Sequence, residues 1–282
     1  MKHEGPRISR SAQRLPAKHH SKKSLGQNFL VDNSVIARII DAVHPRMDET
    51  IIEIGPGRGA LTERLVEKAG QLVAIEFDRD LISSLQARFS SFGNFRLVEG
   101  DALATDFCSF LESNQKLRVV ANLPYNVATA ILQRLIEQRR CISEMVLMLQ
   151  REVVERITAA PGSSERGFLT VLVEANCEAE RLFDVSPGAF QPVPKVWSSV
   201  VRLSLRPDVS ERIRNTELLW AIVSVGFAHR RKTILNNLRQ APEKLAELLK
   251  RHGGASIVLC EAGVAPQRRA ETLTLDEWFS IS

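Results

Sequence analysis

Short apolar runs alternate with segments of helical periodicity between residues 50 and 158, and this alternation constrains the fold more than any other feature. The predicted strands are residues 50–54, 71–76, 95–99, 117–121 and 144–149. The predicted helices are residues 60–68, 79–89, 128–138 and 151–158. Because strands separated by crossover helices run in the same direction, the pattern predicts an α/β fold whose mostly parallel sheet is covered on both faces.

A different pattern follows Gly167. Residues 177–185 and 198–205 are predicted strands joined by a proline-rich loop, which indicates an antiparallel pair closing the sheet. Beyond residue 207 the apolar periodicity is helical, with helices predicted at residues 242–251 and 275–279.

We predict three parts: a basic disordered tail at residues 1–21, an α/β domain at residues 22–207, and a small all-α domain at residues 208–282. Residues 1–23 carry seven lysines and arginines against one glutamate. Since the net charge of the whole chain is +5, this segment accounts for the entire positive excess. Such a tail can neutralise RNA phosphates or serve only solubility, and the sequence leaves both open.

A second basic cluster consists of Arg230, Arg231 and Lys232, at the start of a predicted C-terminal helix. Apolar helix positions flank it on both sides. We interpret this cluster as a contact surface for the phosphates of a nucleic acid.

The four cysteines are Cys108, Cys141, Cys177 and Cys260, with no CxxC spacing and no cysteine–histidine pairing. This distribution predicts reduced, buried thiols and no metal site. No apolar run is long enough to span a bilayer, and no apolar stretch follows the basic N-terminus as in a secretory signal. We therefore expect a cytoplasmic protein without membrane association.

Glycine and acidic residues lie at the carboxyl ends of the first two predicted strands. Gly55 belongs to the glycine-rich loop at residues 53–59, and Glu76 ends the second strand. Open α/β sheets bind ligands at this edge, where glycines let the backbone approach a ligand and an acid can hold both hydroxyls of a ribose. NAD-dependent enzymes share both features, so an NAD oxidoreductase stays open on these residues alone.

Two further polar motifs end the next two strands. Asp101 follows the third strand and can accept from the exocyclic amine of an adenine, which is more typical of methyl-donor sites than of hydride-transfer sites. Asn122-Leu123-Pro124-Tyr125 follows the fourth strand. The Asn122 side chain and the Leu123 or Pro124 carbonyl can accept from a second planar amine, and the Tyr125 ring can stack on its base. Four successive strand ends therefore predict a cleft for a methyl donor and a target base.

These motifs resemble the small-subunit rRNA adenine dimethyltransferase family over about residues 22–279. The motifs that carry the resemblance are Leu25-Gly26-Gln27-Asn28-Phe29-Leu30, residues 53–59, Gly100-Asp101-Ala102-Leu103, Asn122-Leu123-Pro124-Tyr125, Phe190-Gln191-Pro192-Val193-Pro194-Lys195-Val196 and Arg230-Arg231-Lys232-Thr233. The first and fifth are far more specific than a glycine loop. The resemblance implies a Rossmann-like class I methyltransferase fold with a seven-stranded, mostly parallel sheet and a helical C-terminal domain.

By the same resemblance, the donor would be S-adenosyl-L-methionine. The donor-binding residues that the resemblance implies are Asn28, Leu30, Gly55, Glu76, Asp101 and Asn122. Asn28 and Leu30 would form a flap over the donor. The target adenine would be held by Asn122, Leu123 and Pro124, and it would stack between Tyr125 and Phe190.

The activity that the resemblance implies is dimethylation of N6 of two adjacent adenosines in the 3′-terminal hairpin loop of small-subunit (16S) rRNA. The partner would be the immature small (30S) ribosomal subunit, and we expect a monomer without a metal. Two alternatives remain beside the NAD enzyme. One is a large-subunit (23S) rRNA adenine methyltransferase of the macrolide-resistance type, and the other is a non-catalytic ribosome assembly factor on the same scaffold.

Overall fold

The computed structural model describes residues 27–111, 115–210, 212 and 215–282, so the predicted basic tail lies outside the described residues. The strands are β1 Phe29–Leu30, β2 Thr50–Ile54, β3 Gln71–Glu76, β4 Phe95–Glu99, β5 Leu117–Asn122, β6 Ile142–Gln150, β7 Cys177–Val185, β8 Phe190–Gln191 and β9 Ser198–Leu205. The helices are α1 Asn33–Val43, α2 Thr62–Leu65, α3 Arg79–Phe89, α4 Ala128–Glu137, α5 Arg151–Ile157, α6 Phe168–Glu174, α7 Pro207–Ser210, α8 Thr216–Gly226, α9 Ile234–Leu238, α10 Glu243–Arg251, α11 Ala255–Glu261 and α12 Leu275–Ile281. Over this part of the chain, no helix has the length and apolar character that crossing a membrane requires.

The main sheet has seven strands in the order β4-β3-β2-β5-β6-β9-β7. The first five of these run parallel, and β9 lies antiparallel between β6 and β7. The predicted seven-stranded, mostly parallel sheet with an antiparallel closing pair is confirmed. Since the chain leaves β2 toward β3 and β4 and then returns to the other side of β2 with β5, the strand order reverses between β2 and β5. Ligands of open α/β sheets bind at such a reversal.

Two apolar layers cover the sheet because successive side chains of a strand point to opposite faces. Ile51 is buried with side chains of α1 and α3, whereas Ile52 is buried with side chains of α4 and α5. Full burial of one such side chain contributes about 1.5–3 kcal/mol. The two layers fix the strand ends, and therefore the residues that follow them.

The C-terminal helices α8 to α12 surround a third apolar cluster. Trp278 lies fully buried in it, and Val171 of α6 joins it from the α/β part of the chain. The last strand ends at Leu205, and helices follow from Pro207. The exact division between residues 207 and 208 stays a prediction.

Three expectations about local structure were wrong or incomplete. The helix predicted at residues 60–68 is regular only over α2, because the following turn tightens, with the Lys68 amide donating to the Leu65 carbonyl at 3.0 Å. Helix α6 was not predicted, since its nearly continuous apolar run has no clear period. The proline-rich loop contains β8, which pairs antiparallel with β1 and places Leu30 opposite Phe190.

The prediction of four reduced, buried thiols was also wrong. A disulfide joins Cys108 to Cys141, whose Cα atoms lie 5.4 Å apart. The 3₁₀ helix at Phe107–Phe110 packs beside the residue that precedes β6, so the fold joins two cysteines that are 33 positions apart in sequence. Of the other two, Cys177 is buried and Cys260 is exposed. Burial raises the pKa of the Cys177 thiol to about 12, which keeps it protonated.

Candidate active site

A cavity of about 280 Å³ opens where the strand order reverses, at the carboxyl ends of β2, β3, β4 and β5. The predicted site residues that line it are Asn28, Leu30, Gly55, Glu76, Asp101, Asn122, Leu123, Pro124 and Tyr125. Phe190 and the cluster Arg230, Arg231 and Lys232 are not among the lining residues. The structure thus brings together all the predicted donor contacts and most of the predicted target contacts.

The glycine loop after β2 forms one wall of the cavity. Gly55 and Gly57 have φ angles of +66° and +59°, which side chains rarely tolerate. A Cβ atom on Gly57 would lie 3.1 Å from Cδ1 of the Phe29 ring, which already packs on the loop. The Arg58 guanidinium lies 4.4 Å from the centroid of the same ring. The backbone of this loop therefore faces the cavity without covering side chains, and β1 packs against the loop.

Glu76 ends β3 with its carboxylate fixed by the backbone. The amide of Gly57 donates to Oε2 at 3.0 Å, and the amide of Asp78 donates to Oε1 at 2.8 Å. Burial raises the pKa of Glu76, and these two hydrogen bonds act in the opposite direction. A carboxylate with both oxygens held in this way presents a fixed pair of acceptors to the two hydroxyls of a ribose.

Glu53 is a cavity-lining acid that sequence reasoning did not single out. It is buried in β2, and the Thr62 hydroxyl donates to its Oε2 at 2.7 Å. Burial raises the pKa of Glu53 to about 7, with the nearby charge of Glu76 adding to the effect. The signal for it was a glutamate inside an otherwise apolar strand, two residues before Gly55.

Asp101 forms the base of the next loop. Its Oδ1 accepts from the Leu103 amide at 2.9 Å, and its carbonyl accepts from the Thr105 hydroxyl at 2.7 Å. Its carboxylate is exposed toward the cavity it lines. Phe77, which is 60% exposed, and Leu103 also line the cavity and offer apolar faces for a planar ring. Phe77 directly follows Glu76, and Leu103 lies two positions after Asp101. Their places after acids at strand ends could have identified them.

Asn122 ends β5 with its side-chain amide group already engaged. Nδ2 donates to the backbone carbonyl of Asn28 at 3.1 Å, which leaves Oδ1 as the side-chain acceptor. The Pro124 carbonyl accepts from the Val127 amide at 3.2 Å, whereas no described residue donates to the Leu123 carbonyl. Asn122 Oδ1 and the Leu123 carbonyl are therefore acceptors without a donor among the described residues, and the Pro124 carbonyl keeps its second lone pair.

Tyr125 and Phe190 differ in accessibility. The Tyr125 hydroxyl lies 2.8 Å from the Ser198 hydroxyl, and burial raises the pKa of the phenol. Its ring lines the cavity. Phe190 is only 2% exposed, because β8 packs against β1. Contact between Phe190 and a base would therefore require a change that exposes this ring.

The segment before β1 is held at the cavity by a hydrogen bond to the loop after β3. The Gln27 side chain donates through Nε2 to Asp78 Oδ2 at 2.8 Å. Asp78 also caps α3, since its Oδ1 accepts from the Asp80 amide at 3.2 Å. The predicted flap is therefore anchored to the loop that holds Glu76.

The basic cluster lies in the turn before α9. Arg230 donates through Nη2 to the backbone carbonyls of Ser164 and Arg166. Lys232 donates to Gln240 Oε1 at 2.8 Å. Arg231 is exposed. Arg230 thus joins the C-terminal helices to the loop after α5, in addition to any role toward RNA.

The cavity is lined by hydrogen-bond acceptors and apolar side chains. Over the described ranges, no group of three or more histidine, cysteine, aspartate or glutamate side chains is placed to hold a metal ion.

A family model described as ribosomal RNA adenine dimethylase matches residues 18–280 of the chain. The ribosomal RNA small subunit methyltransferase A of Legionella pneumophila is 49% identical over 223 residues, covering 79% of this chain and 86% of that protein. The protein of the same name from Hahella chejuensis is 39% identical over 264 residues, covering 94% of this chain and 92% of that protein.

Solved structures give the same fold. A dimethyladenosine transferase from Plasmodium falciparum superposes with a TM-score of 0.74 at 23% identity, covering 89% of this chain and 95% of that one. The 23S rRNA methyltransferase ErmE superposes with a TM-score of 0.67 at 27% identity, covering 90% of this chain and 98% of that one. The predicted Rossmann-like methyltransferase fold is confirmed.

Proposed function

Because the chain belongs to the ribosomal RNA adenine dimethylase family, we propose that it dimethylates N6 of two adjacent adenosines in the 3′-terminal hairpin loop of small-subunit rRNA. The observation that carries the proposal is one cavity lined by four strand ends, with Asn122 held by its amide group so that its oxygen is available. The enzyme is an S-adenosyl-L-methionine-dependent methyltransferase.

The residues present fit this donor. A Cβ atom on Gly55 would stand in open space at the cavity, and Glu76 offers two fixed acceptors for the ribose. Phe77 and Leu103 provide apolar faces for the adenine ring, and Asp101 can accept from its exocyclic amine. When bound, S-adenosyl-L-methionine supplies a methyl group on a positively charged sulfur. Asn28 and Leu30, which line the cavity from the segment at β1, would cover the donor and exclude water.

The target amine is a poor nucleophile because its lone pair is delocalised into the purine ring. Asn122 Oδ1 and the Leu123 carbonyl, accepting its two hydrogens, would favour a pyramidal nitrogen with its lone pair directed into the cavity. Alignment of this kind is worth roughly 7–11 kcal/mol in well-oriented systems. No base is needed before attack, since the nitrogen can release its proton afterwards to water or to an accepting carbonyl.

The base itself would be held by stacking. Tyr125, whose hydroxyl contacts that of Ser198, would receive one face of the adenine. Phe190 would take the other face, which requires its buried ring to become exposed. An unpaired loop adenosine costs little to extrude, which suits a hairpin-loop substrate.

The substrate particle would be the immature small ribosomal subunit, so the enzyme would act in the cytoplasm. We further propose that it acts as a monomer and without a metal. Arg231 and Lys232 would contact RNA phosphates, while Arg230 would hold the C-terminal helices in place.

One alternative has a specific observation behind it. The similarity to ErmE is compatible with a large-subunit substrate. The higher identity to several small subunit methyltransferases favours the small subunit.

The test offers the purified enzyme unmethylated small and large ribosomal subunits with methyl-labelled S-adenosyl-L-methionine, and maps the label by mass spectrometry. We expect two methyl groups on each of two adjacent adenosines of the small-subunit hairpin and no label in the large subunit. Label confined to the large subunit would overturn the proposal.

A thermal shift experiment tests the NAD oxidoreductase alternative, because S-adenosyl-L-methionine and not NAD should raise the melting temperature. No label in either particle, with donor binding intact, would favour the assembly factor.

A further inference from the structure

The protein has three tryptophans, and only one of them is substantially exposed. Trp278 is fully buried among the C-terminal helices, and Trp220 packs edge-on against Phe168 at 6.0 Å between ring centroids. Trp197, in contrast, is 48% exposed at the end of the loop between β8 and β9. Val193 and Val196 of the same loop are also exposed, and a group of exposed apolar side chains is a feature of interaction sites.

Trp197 adjoins the wall of the active site. The next residue, Ser198, is buried and lies 2.8 Å from the Tyr125 hydroxyl through its own hydroxyl. Consecutive Cα atoms are about 3.8 Å apart, so the Trp197 backbone is one residue away from the contact that fixes Tyr125. Trp197 therefore lies next to the site along the chain, although its side chain is not among those that line the cavity.

The loop presents the indole on a constrained backbone. The Trp197 carbonyl accepts from the Arg151 amide at 2.9 Å. At the other end of the loop Phe190 is paired with β1, and Pro192 and Pro194 restrict the backbone between the two ends. A side chain held in this way loses little conformational entropy when a ligand packs on it.

The charge around Trp197 suits a polyanion. Lys195 is exposed, and no hydrogen bond or ion pair joins it to any residue that the structure describes. The neighbouring Arg151 differs, because its guanidinium is paired with Glu155 at 2.9 Å. Proteins bind single-stranded RNA with exposed aromatic rings and cations, and this loop carries one of each in Trp197 and Lys195.

We propose that Trp197 stacks on an unpaired nucleotide that flanks the target adenosine, with Lys195 on a nearby phosphate, and so selects the RNA strand that enters the site. This inference rests on the proposed function, since it requires an RNA substrate at Tyr125. The group that packs on Trp197 is a nucleobase. Stacking needs a planar ring, and each of the four bases has one, so the contact does not depend on RNA sequence.

The test compares Trp197→Ala and Trp197→Phe with the wild type in methylation of unmethylated small subunits. Base stacking is worth about 1–3 kcal/mol, so we expect Trp197→Ala to raise the KM for the particle about 5- to 150-fold. The KM for the donor and the melting temperature should be unchanged. Trp197→Phe should recover most of the loss. Ile257→Ala is the matched control, because Ile257 is also an apolar side chain that is 48% exposed, and it should behave as wild type.

A second measurement identifies the occupant. In small subunits reconstituted with an abasic nucleotide beside the target pair, wild type and Trp197→Ala should have the same KM, because the stacking partner has been removed. An unchanged KM for Trp197→Ala on the intact particle would overturn the inference. A defect of Trp197→Ala that persists undiminished at every flanking abasic position would also overturn it, and would indicate a ribosomal protein as the contact. Wild type inactive on small subunits would instead contradict the proposed function.

Discussion

Replacement of Glu53 by glutamine should stabilise the protein at neutral pH while leaving its stability at acidic pH nearly unchanged. Glu53 is buried in β2, and its side chain accepts a hydrogen bond from the Thr62 hydroxyl. Burial is the largest cause that raises its pKa from 4.5 to about 7. Glutamine has the same shape and can still accept from Thr62, but it never carries the buried charge.

The sign and size of the effect follow from proton linkage. Between pH 4.5 and about 7 the folded protein binds more protons at Glu53 than the unfolded chain does, so the free energy of unfolding falls as the pH rises. Each tenfold difference in proton affinity corresponds to about 1.4 kcal/mol, which gives about 3 kcal/mol across this range as an upper value. Glu53→Gln should therefore exceed the wild type by up to about 3 kcal/mol at pH 8 and by less than about 1 kcal/mol at pH 5.

Urea unfolding of the donor-free protein, followed by circular dichroism at pH 5, 6, 7 and 8, measures this difference. Glu99→Gln is the control, because Glu99 is an exposed carboxylate at the end of β4, paired with Arg79 at 2.6 Å. Because Glu99→Gln removes no buried charge, it should not give the gain in stability at pH 8. If the gap between Glu53→Gln and the wild type stays constant from pH 5 to 8, Glu53 does not titrate there and the reasoning fails.

Three further predictions concern packing, thiols and the tail. Gly70→Ala should lower stability by about 1–3 kcal/mol in urea unfolding, since its Cβ atom would meet the Met47 carbonyl, whereas Gly93→Ala should have little effect because nothing lies within 4 Å of a Cβ atom there. Thiol titration of the unfolded, unreduced protein should find two of the four cysteines reactive, because the disulfide removes the other two; four reactive thiols would contradict the bond. Deleting residues 1–21 should weaken RNA binding and flatten its salt dependence, whereas an equal salt slope would exclude the tail from the RNA interface.

The strand ends could be predicted because two local signals agree there. Apolar runs locate strands such as β2, and parallel strands bring their carboxyl ends to one edge, so Glu76, Asp101 and Asn122 had to lie close together. The hydrogen bond from Asn122 to Asn28 could not be predicted, since it depends on how the segment before β1 crosses that edge.

The parts that sequence reasoning missed depend on contacts between distant residues. Strands β1 and β8 have two residues each and no measurable periodicity, yet they pair so that Leu30 lies opposite the buried Phe190. The disulfide between Cys108 and Cys141 likewise has no local signal. The sequence shows Glu53 as an acid in an apolar strand, but its burial beside Thr62 could not be predicted because it depends on the conformation of the folded loop.

The central claim is that Asn122 holds the target amine, and the turnover of Asn122→Ala on unmethylated small subunits tests it most directly. With saturating donor, the rate of the first methyl transfer should fall at least about 100-fold, because misplacement of a reacting group by about 1 Å costs that much. Binding of the variant to the particle, measured by sedimentation, should match the wild type. A rate within twofold of the wild type would contradict the account.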